Sequence, residues 1–120
     1  MHGLGELEAS VMDVLWRAPD PMKVREVLDE LNKGRALAYT TVMTVLDNLH
    51  RKGWVDRERD GKAFRYEAAV SRTEAAAKAL REVLSASGDP EGALLHFARS
   101  ASERETELLR KALPRKPRRA

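Results

Sequence analysis

Thr40, Thr41, Thr44 and Asn48 lie close together with Met43 among them, and Arg51, Lys52, Arg57, Arg59, Lys62 and Arg65 follow within a short span. Hydroxyl and amide side chains of this size can hydrogen-bond the edges of bases, and a methionine can meet a thymine methyl. Guanidinium and ammonium groups nearby can hold the phosphates that keep such readers in register. Catalysis finds no comparable set of residues. His2, His50 and His96 sit on separate segments, none with a carboxylate or second histidine at metal-ligand spacing. No Gly-rich phosphate loop is present, and Ser10 and Ser71 lack a recognisable base. No catalytic residue, metal site or cofactor is therefore assigned. The absence of cysteine excludes disulfides and thiolate metal sites, which suits a cytoplasmic protein.

The base-reading candidates need a helix to present them. Over Tyr39–Trp54, Val42, Val45, Leu46 and Leu49 recur at i, i+3, i+4 and i+7, which predicts a helix with one buried stripe. Thr41, Thr44, Asp47, Asn48 and Arg51 fall on its outward face. Thr40 or Thr41 is the expected N-cap and Gly53 the expected stop after a cationic last turn. A solvated surface helix has the same pattern, so the flanking segments must decide. Leu4, Leu7, Val11, Val14 and Leu15 predict a first helix over Gly5–Arg17, ended by Pro19-Asp20-Pro21. Val24, Val27, Leu28 and Leu31 predict a second over Lys23–Lys33. Three short amphipathic helices can close one core.

Two alternating runs, WVDRERD and AFRYEA, flank Asp60-Gly61 and predict a β-hairpin. With Asp60 and Gly61 as the turn, Asp56 faces Arg65, Val55 faces Tyr66 and Arg59 faces Lys62. The last pairing sets like charges together, which phosphates nearby would relieve. An edge-protecting, merely soluble wing is the alternative. Three helices followed by a basic hairpin is the order of a winged helix-turn-helix, in which the third helix enters the major groove.

Charge distribution points the same way. Residues 35–66 hold seven cations against four acidic groups, whereas residues 1–34 hold four against seven. The last seven residues add four cations more, and such gathering suits a polyanion. No apolar run reaches the roughly 20 residues of a membrane span, and the acidic N-terminus does not resemble a signal peptide, so no membrane insertion is expected.

After Val70 the chain becomes alanine-rich and helical. Ser71 and Glu74, then Ser102 and Glu105, have capping-box spacing, and Pro90 suits a first helical position. Leu80, Val83 and Leu84, then Leu94, Leu95 and Phe97, then Leu108, Leu109 and Leu113 make apolar patches too sparse for an independent core. They predict a homodimer interface, with a monomeric helical extension as the alternative. The expected organisation is mainly α: a winged-helix DNA-binding domain over 1–70, a helical dimerisation module over 71–113 and a disordered basic tail over 114–120.

The segments LGELEASVMDVLW, MKVREVLDEL, LAYTTVMTVLDNLHRKGWVDRERDGKAFRY and ALLHFA resemble the BlaI/MecI type of penicillinase and methicillin-resistance repressors over about residues 4–113. The resemblance implies a winged-helix repressor, dimeric through its C-terminal helices, on inverted-repeat operators in double-stranded DNA. Thr41 and Thr44 match threonines of the family pattern in the third helix, while Thr40, Met43 and Asn48 depart from it. In some relatives a membrane sensor metalloprotease triggers cleavage at a pair ending in Phe. His96-Phe97 is the matching pair here, with His96 in place of asparagine. A copper-sensing branch uses tail cysteines, which this chain lacks. The competing reading is a winged-helix adaptor that binds proteins without DNA.

Overall fold

A computed structural model describes residues 3–114. The basic tail at 115–120 lies outside the described residues. The elements run α1 (Glu6–Arg17), β1 (Met22–Lys23), α2 (Val24–Leu31), α3 (Tyr39–Arg51), β2 (Val55–Asp60), β3 (Ala63–Ala68), α4 (Arg72–Ala86), α5 (Pro90–Arg99) and α6 (Glu103–Ala112). The chain divides into two compact units between Arg81 and Glu82, inside α4.

In the first unit the three predicted helices close one core. Val11, Met12, Val14 and Leu15 of α1 meet Val27, Leu28 and Leu31 of α2 and Val42, Leu46 and Leu49 of α3. Val45, the fourth member of the predicted α3 stripe, is only half-buried at its edge. Asn32 sets the turn between α2 and α3: its side-chain amide donates to the Leu37 carbonyl at 3.0 Å, and its Oδ1 accepts the Leu37 N–H at 2.8 Å. This Asx closure replaces backbone pairing that a short interhelical loop cannot make. Gly53, at φ 81°, ends α3. Its N–H donates to His50 and that of Trp54 to Leu49, the two bonds of a Schellman cap, as its position after the cationic turn predicts.

A small antiparallel sheet, ordered β1-β3-β2, covers one side of the core. β1 was not foreseen. Its two residues are too few for an alternating pattern, so Lys23 pairs with Arg65 as strand rather than starting α2. The hairpin is present, but its register differs from the one expected. Asp60 pairs with Ala63, so the turn residues are Gly61 and Lys62. Positive φ falls on Gly61 alone, as in a II′ turn, whereas Asp60-Gly61 in a I′ turn would need it at both. Arg57 therefore faces Tyr66, Glu58 faces Arg65 and Arg59 faces Phe64. The expected clash of Arg59 with Lys62 does not exist, and no argument for phosphates rests on it.

The start of α4 docks on this same unit. Ser71 Oγ accepts the Glu74 N–H at 3.1 Å, and Ala75 is buried. Arg72 bridges to Asp13 of α1 at 2.7 Å and lies over the Trp16 ring, whose Nε1 donates to the Val70 carbonyl at 2.9 Å. Lys78 lies over the Trp54 ring, 5.9 Å from its centroid.

In the second unit, α5 opens with the Asp89 side chain accepting from Gly92 N–H and Pro90 in the first turn. α6 opens with the predicted capping box, Ser102 accepting from Glu105 N–H at 3.1 Å and Glu105 accepting from Ser102 N–H at 2.8 Å. Neither helix buries any of its residues. Among the described residues no helix is long and apolar enough to cross a membrane.

Candidate nucleic-acid interface

α3 presents its polar face outward. Its N-cap is Ala38, not Thr40 or Thr41. Ala38 has the extended backbone (φ −83°, ψ 150°) and its carbonyl accepts the Thr41 and Val42 N–H groups. Both threonines thus lie inside the helix, exposed beside Met43 and Thr44. Thr44 Oγ1 donates to the Thr40 carbonyl at 2.9 Å, which spends its proton and leaves the oxygen as an acceptor with a methyl beside it. Such a side chain can take an amino hydrogen from adenine or cytosine, or touch a thymine methyl.

One turn on, Asn48 is half-buried and its Oδ1 accepts from Arg51. Asp47 carries two guanidinium neighbours: Arg51 Nε at 3.8 Å and Arg57 Nη1, from β2, at 3.2 Å. Arg57 also stacks on the Phe64 ring at 4.3 Å, and Arg59 on the same ring at 4.9 Å. The hairpin and the C-terminal half of α3 are thereby tied into one basic surface. Lys62 stands in the turn, exposed and without an ionic partner among the described residues.

Two of the cations singled out in the sequence are engaged elsewhere. Alternation puts Arg65 on the opposite face of the hairpin from Arg57 and Arg59, beside Glu58 and Glu67. Its Nε lies 2.7 Å from Asp60, its Nη1 3.9 Å from Glu26, and its guanidinium holds the Asp60 carboxyl below the usual carboxylate range. Lys52 Nζ lies 2.9 Å from both Glu8 oxygens, clamping the end of α3 to the start of α1.

Glu8 is a folding residue as a result. Its side chain is 14 % exposed. Partial burial pushes its carboxyl up, but the Gly5 N–H and the Lys52 ammonium outweigh this and hold it below its ordinary value. A depressed folded pKa adds stability above the unfolded value, lost as pH falls through the folded one. Glu8→Gln is expected to lower the thermal midpoint by a few degrees at pH 7, with the gap closing below pH 4.5, the ordinary glutamate value. A gap equally wide at pH 3 would remove the ion pair as its cause.

Sequence reasoning missed Tyr39 and Arg25. Arg25 of α2 lies over the exposed Tyr39 ring, 5.4 Å from its centroid, at the α3 N-terminus. No short-range signal links them, because their contact depends on the angle between two helices. Asp47 was seen on the outward face, but its link to Arg57 required the hairpin's position.

The apolar residues of the C-terminal helices are largely uncovered in the single chain. Leu80, Val83, Leu95, Leu108 and Leu109 are exposed, Leu84 is half-buried, and Leu94, Phe97 and Leu113 are 54 %, 55 % and 65 % exposed. His96-Phe97 lies in the last turn of α5.

The model of the penicillinase repressor family matches residues 4–115. The transcriptional regulator BlaI of Mycobacterium tuberculosis (strain CDC 1551 / Oshkosh) is 42 % identical over 113 residues, 92 % of this chain and 82 % of that protein. The solution structure of the DNA-binding domain of the repressor BlaI has a TM-score of 0.54 at 26 % identity, covering 60 % of this chain and 87 % of that one. Bacillus licheniformis BlaI, solved as a monomeric form in complex with the blaP half-operator, has a TM-score of 0.50 at 27 % identity, covering 59 % and 85 %. The core, the three-stranded sheet and the basic hairpin beside α3 are thus those of a winged helix, and the chain belongs to the penicillinase repressor family.

Proposed function

We propose that this protein is a DNA-binding transcriptional repressor that lays α3 in the major groove and grips the flanking phosphates with Arg51, Arg57, Arg59 and Lys62. The observation that carries the reading is the joined surface of α3 and the hairpin: the helix that exposes Thr40, Thr41 and Thr44 also carries Asp47, which ties it to Arg57, and Arg57 and Arg59 share the Phe64 ring. Thr40, Thr41, Met43, Thr44 and Asn48 are the base-edge readers. Lys52 and Arg65 act first as ion-pair struts and reach phosphate only by leaving Glu8 and Asp60. An adaptor without DNA has no use for this basic surface, and the family's description as a repressor speaks against an enzyme.

The repressor acts as a homodimer in the cytoplasm. Its exposed residues on α4, α5 and α6 pair with those of a second copy, and two-fold symmetry then calls for inverted half-sites centred about one helical turn apart or a multiple of it. The half-operator bound by Bacillus licheniformis BlaI supports a two-part site. His96-Phe97 is the point at which a membrane sensor metalloprotease would cut; its helical backbone must first unwind locally.

Fluorescence anisotropy on operator and random duplexes at several salt concentrations tests the DNA reading. Thr44→Ala is expected to weaken operator binding about tenfold, within the range for one base contact, and to leave random DNA nearly unaffected. Arg59→Ala is expected to weaken both alike and flatten the salt slope by about one phosphate. Equal losses for Thr44→Ala on both duplexes would take Thr44 out of the reading set.

A further inference from the structure

A carboxylate on the DNA-facing side of a recognition helix repels the polyanion it must approach, and Asp47 is such a group. It is half-exposed, so burial does not compel it to form ion pairs. Its two oxygens are divided between two cations from different elements, Arg51 one turn later on α3 and Arg57 on β2. The same two guanidinium groups are among those assigned to phosphates above, and Asp47 holds both at the recognition helix itself. A phosphate contact made through Arg51 Nε or Arg57 Nη1 therefore competes with Asp47.

We propose, resting on the repressor reading above, that Asp47 is a specificity-determining residue: it restrains Arg51 and Arg57 from phosphates on DNA in general. It releases them where the major groove offers its carboxylate the N4 amino group of a cytosine. On a sequence lacking that donor, releasing the arginines strands a carboxylate among acceptors and like charges, which is costly. With the donor present, the carboxylate exchanges guanidinium partners for a base and the arginines turn to the backbone. Asp47 thus lowers affinity for the excess of wrong sites more than for the right one. Discrimination of this kind depends on a repulsive element as much as on an attractive one.

The test compares wild type, Asp47→Ala, Arg57→Ala and the double variant on a duplex selected from random DNA by the wild-type chain and on an unselected random duplex. Thermal melts establish that each variant is folded. Asp47→Ala is expected to bind the random duplex about tenfold tighter with a steeper salt slope, while affinity for the selected duplex changes little. Most of that gain should vanish in the Arg57→Ala background, because a residue acting through Arg57 cannot release an arginine that is absent. A second selection with Asp47→Ala should lose a cytosine preference at one position of each half-site. Equal tightening on both duplexes, no tightening on random DNA, or a gain untouched by Arg57→Ala would each overturn the proposal. A wild-type chain that binds no duplex overturns the repressor reading and this role together. A wild-type chain that binds, with no gain from Asp47→Ala, overturns the role alone.

Discussion

The double substitution Leu94→Asp with Leu109→Asp is expected to reduce affinity for a full inverted-repeat operator about 10²–10⁴-fold, the advantage that tethering two binding units confers. Binding to an isolated half-site should be nearly unchanged. Both leucines are exposed in the single chain, on helices that bury nothing of their own, so the aspartates cost the subunit little. In a dimer each would place an unpaired charge in an apolar interface, where it has neither water nor a partner. Sedimentation should show the wild type as a dimer and the variant as a monomer at the concentrations used for binding. A variant that still sediments as a dimer, or keeps full operator affinity, would assign these patches to a solvated extension.

Leu46→Ala is expected to destabilise the DNA-binding unit by about 2–5 kcal/mol, the range for removing a leucine side chain from a packed core. Leu46 is 0 % exposed at the centre of the α3 stripe, with Val42 and Leu49 on either side. For a unit of this size the thermal midpoint should drop by more than about 10 °C. Met43→Ala, on the same helix but facing outward, should move it by no more than about 0.5 kcal/mol. Equal effects from the two would mean that α3 does not hold this face inward in solution.

The contrast between Leu46 and Met43 also shows why so much of the fold was legible in the sequence. A stripe at i, i+3, i+4 and i+7 states which side of a helix must be buried, so the core faces of α2 and α3 and most of that of α1 follow from spacing; Met12, 0 % exposed, lies beside the α1 stripe and is not among the residues that predict it. Gly53, Ser71, Pro90 and Ser102 act within one turn of chain, and their caps were equally readable. The hairpin register was harder. Asp60-Gly61 and Gly61-Lys62 are both acceptable two-residue turns, and in the register observed Asp60 ends β2 and meets Arg65 across the hairpin and Lys23 of β1, a partner that local sequence does not reveal.

The candidate site shows the same limit. The threonines and arginines were identifiable by type, yet their engagement was not. Lys52 and Arg65 read as phosphate ligands until Glu8 and Asp60 are set beside them. The pairing of Arg57 with Asp47 joins a strand to a helix across a tertiary contact that no local pattern encodes.

The chain's two tryptophans both touch the beginning of α4, Trp16 through Arg72 and Trp54 through Lys78. Their intrinsic emission therefore provides a label-free optical reporter of whether that helix stays seated. Detachment of the start of α4 would let water reach both indoles and redden the spectrum, so its unseating can be followed in the unmodified protein.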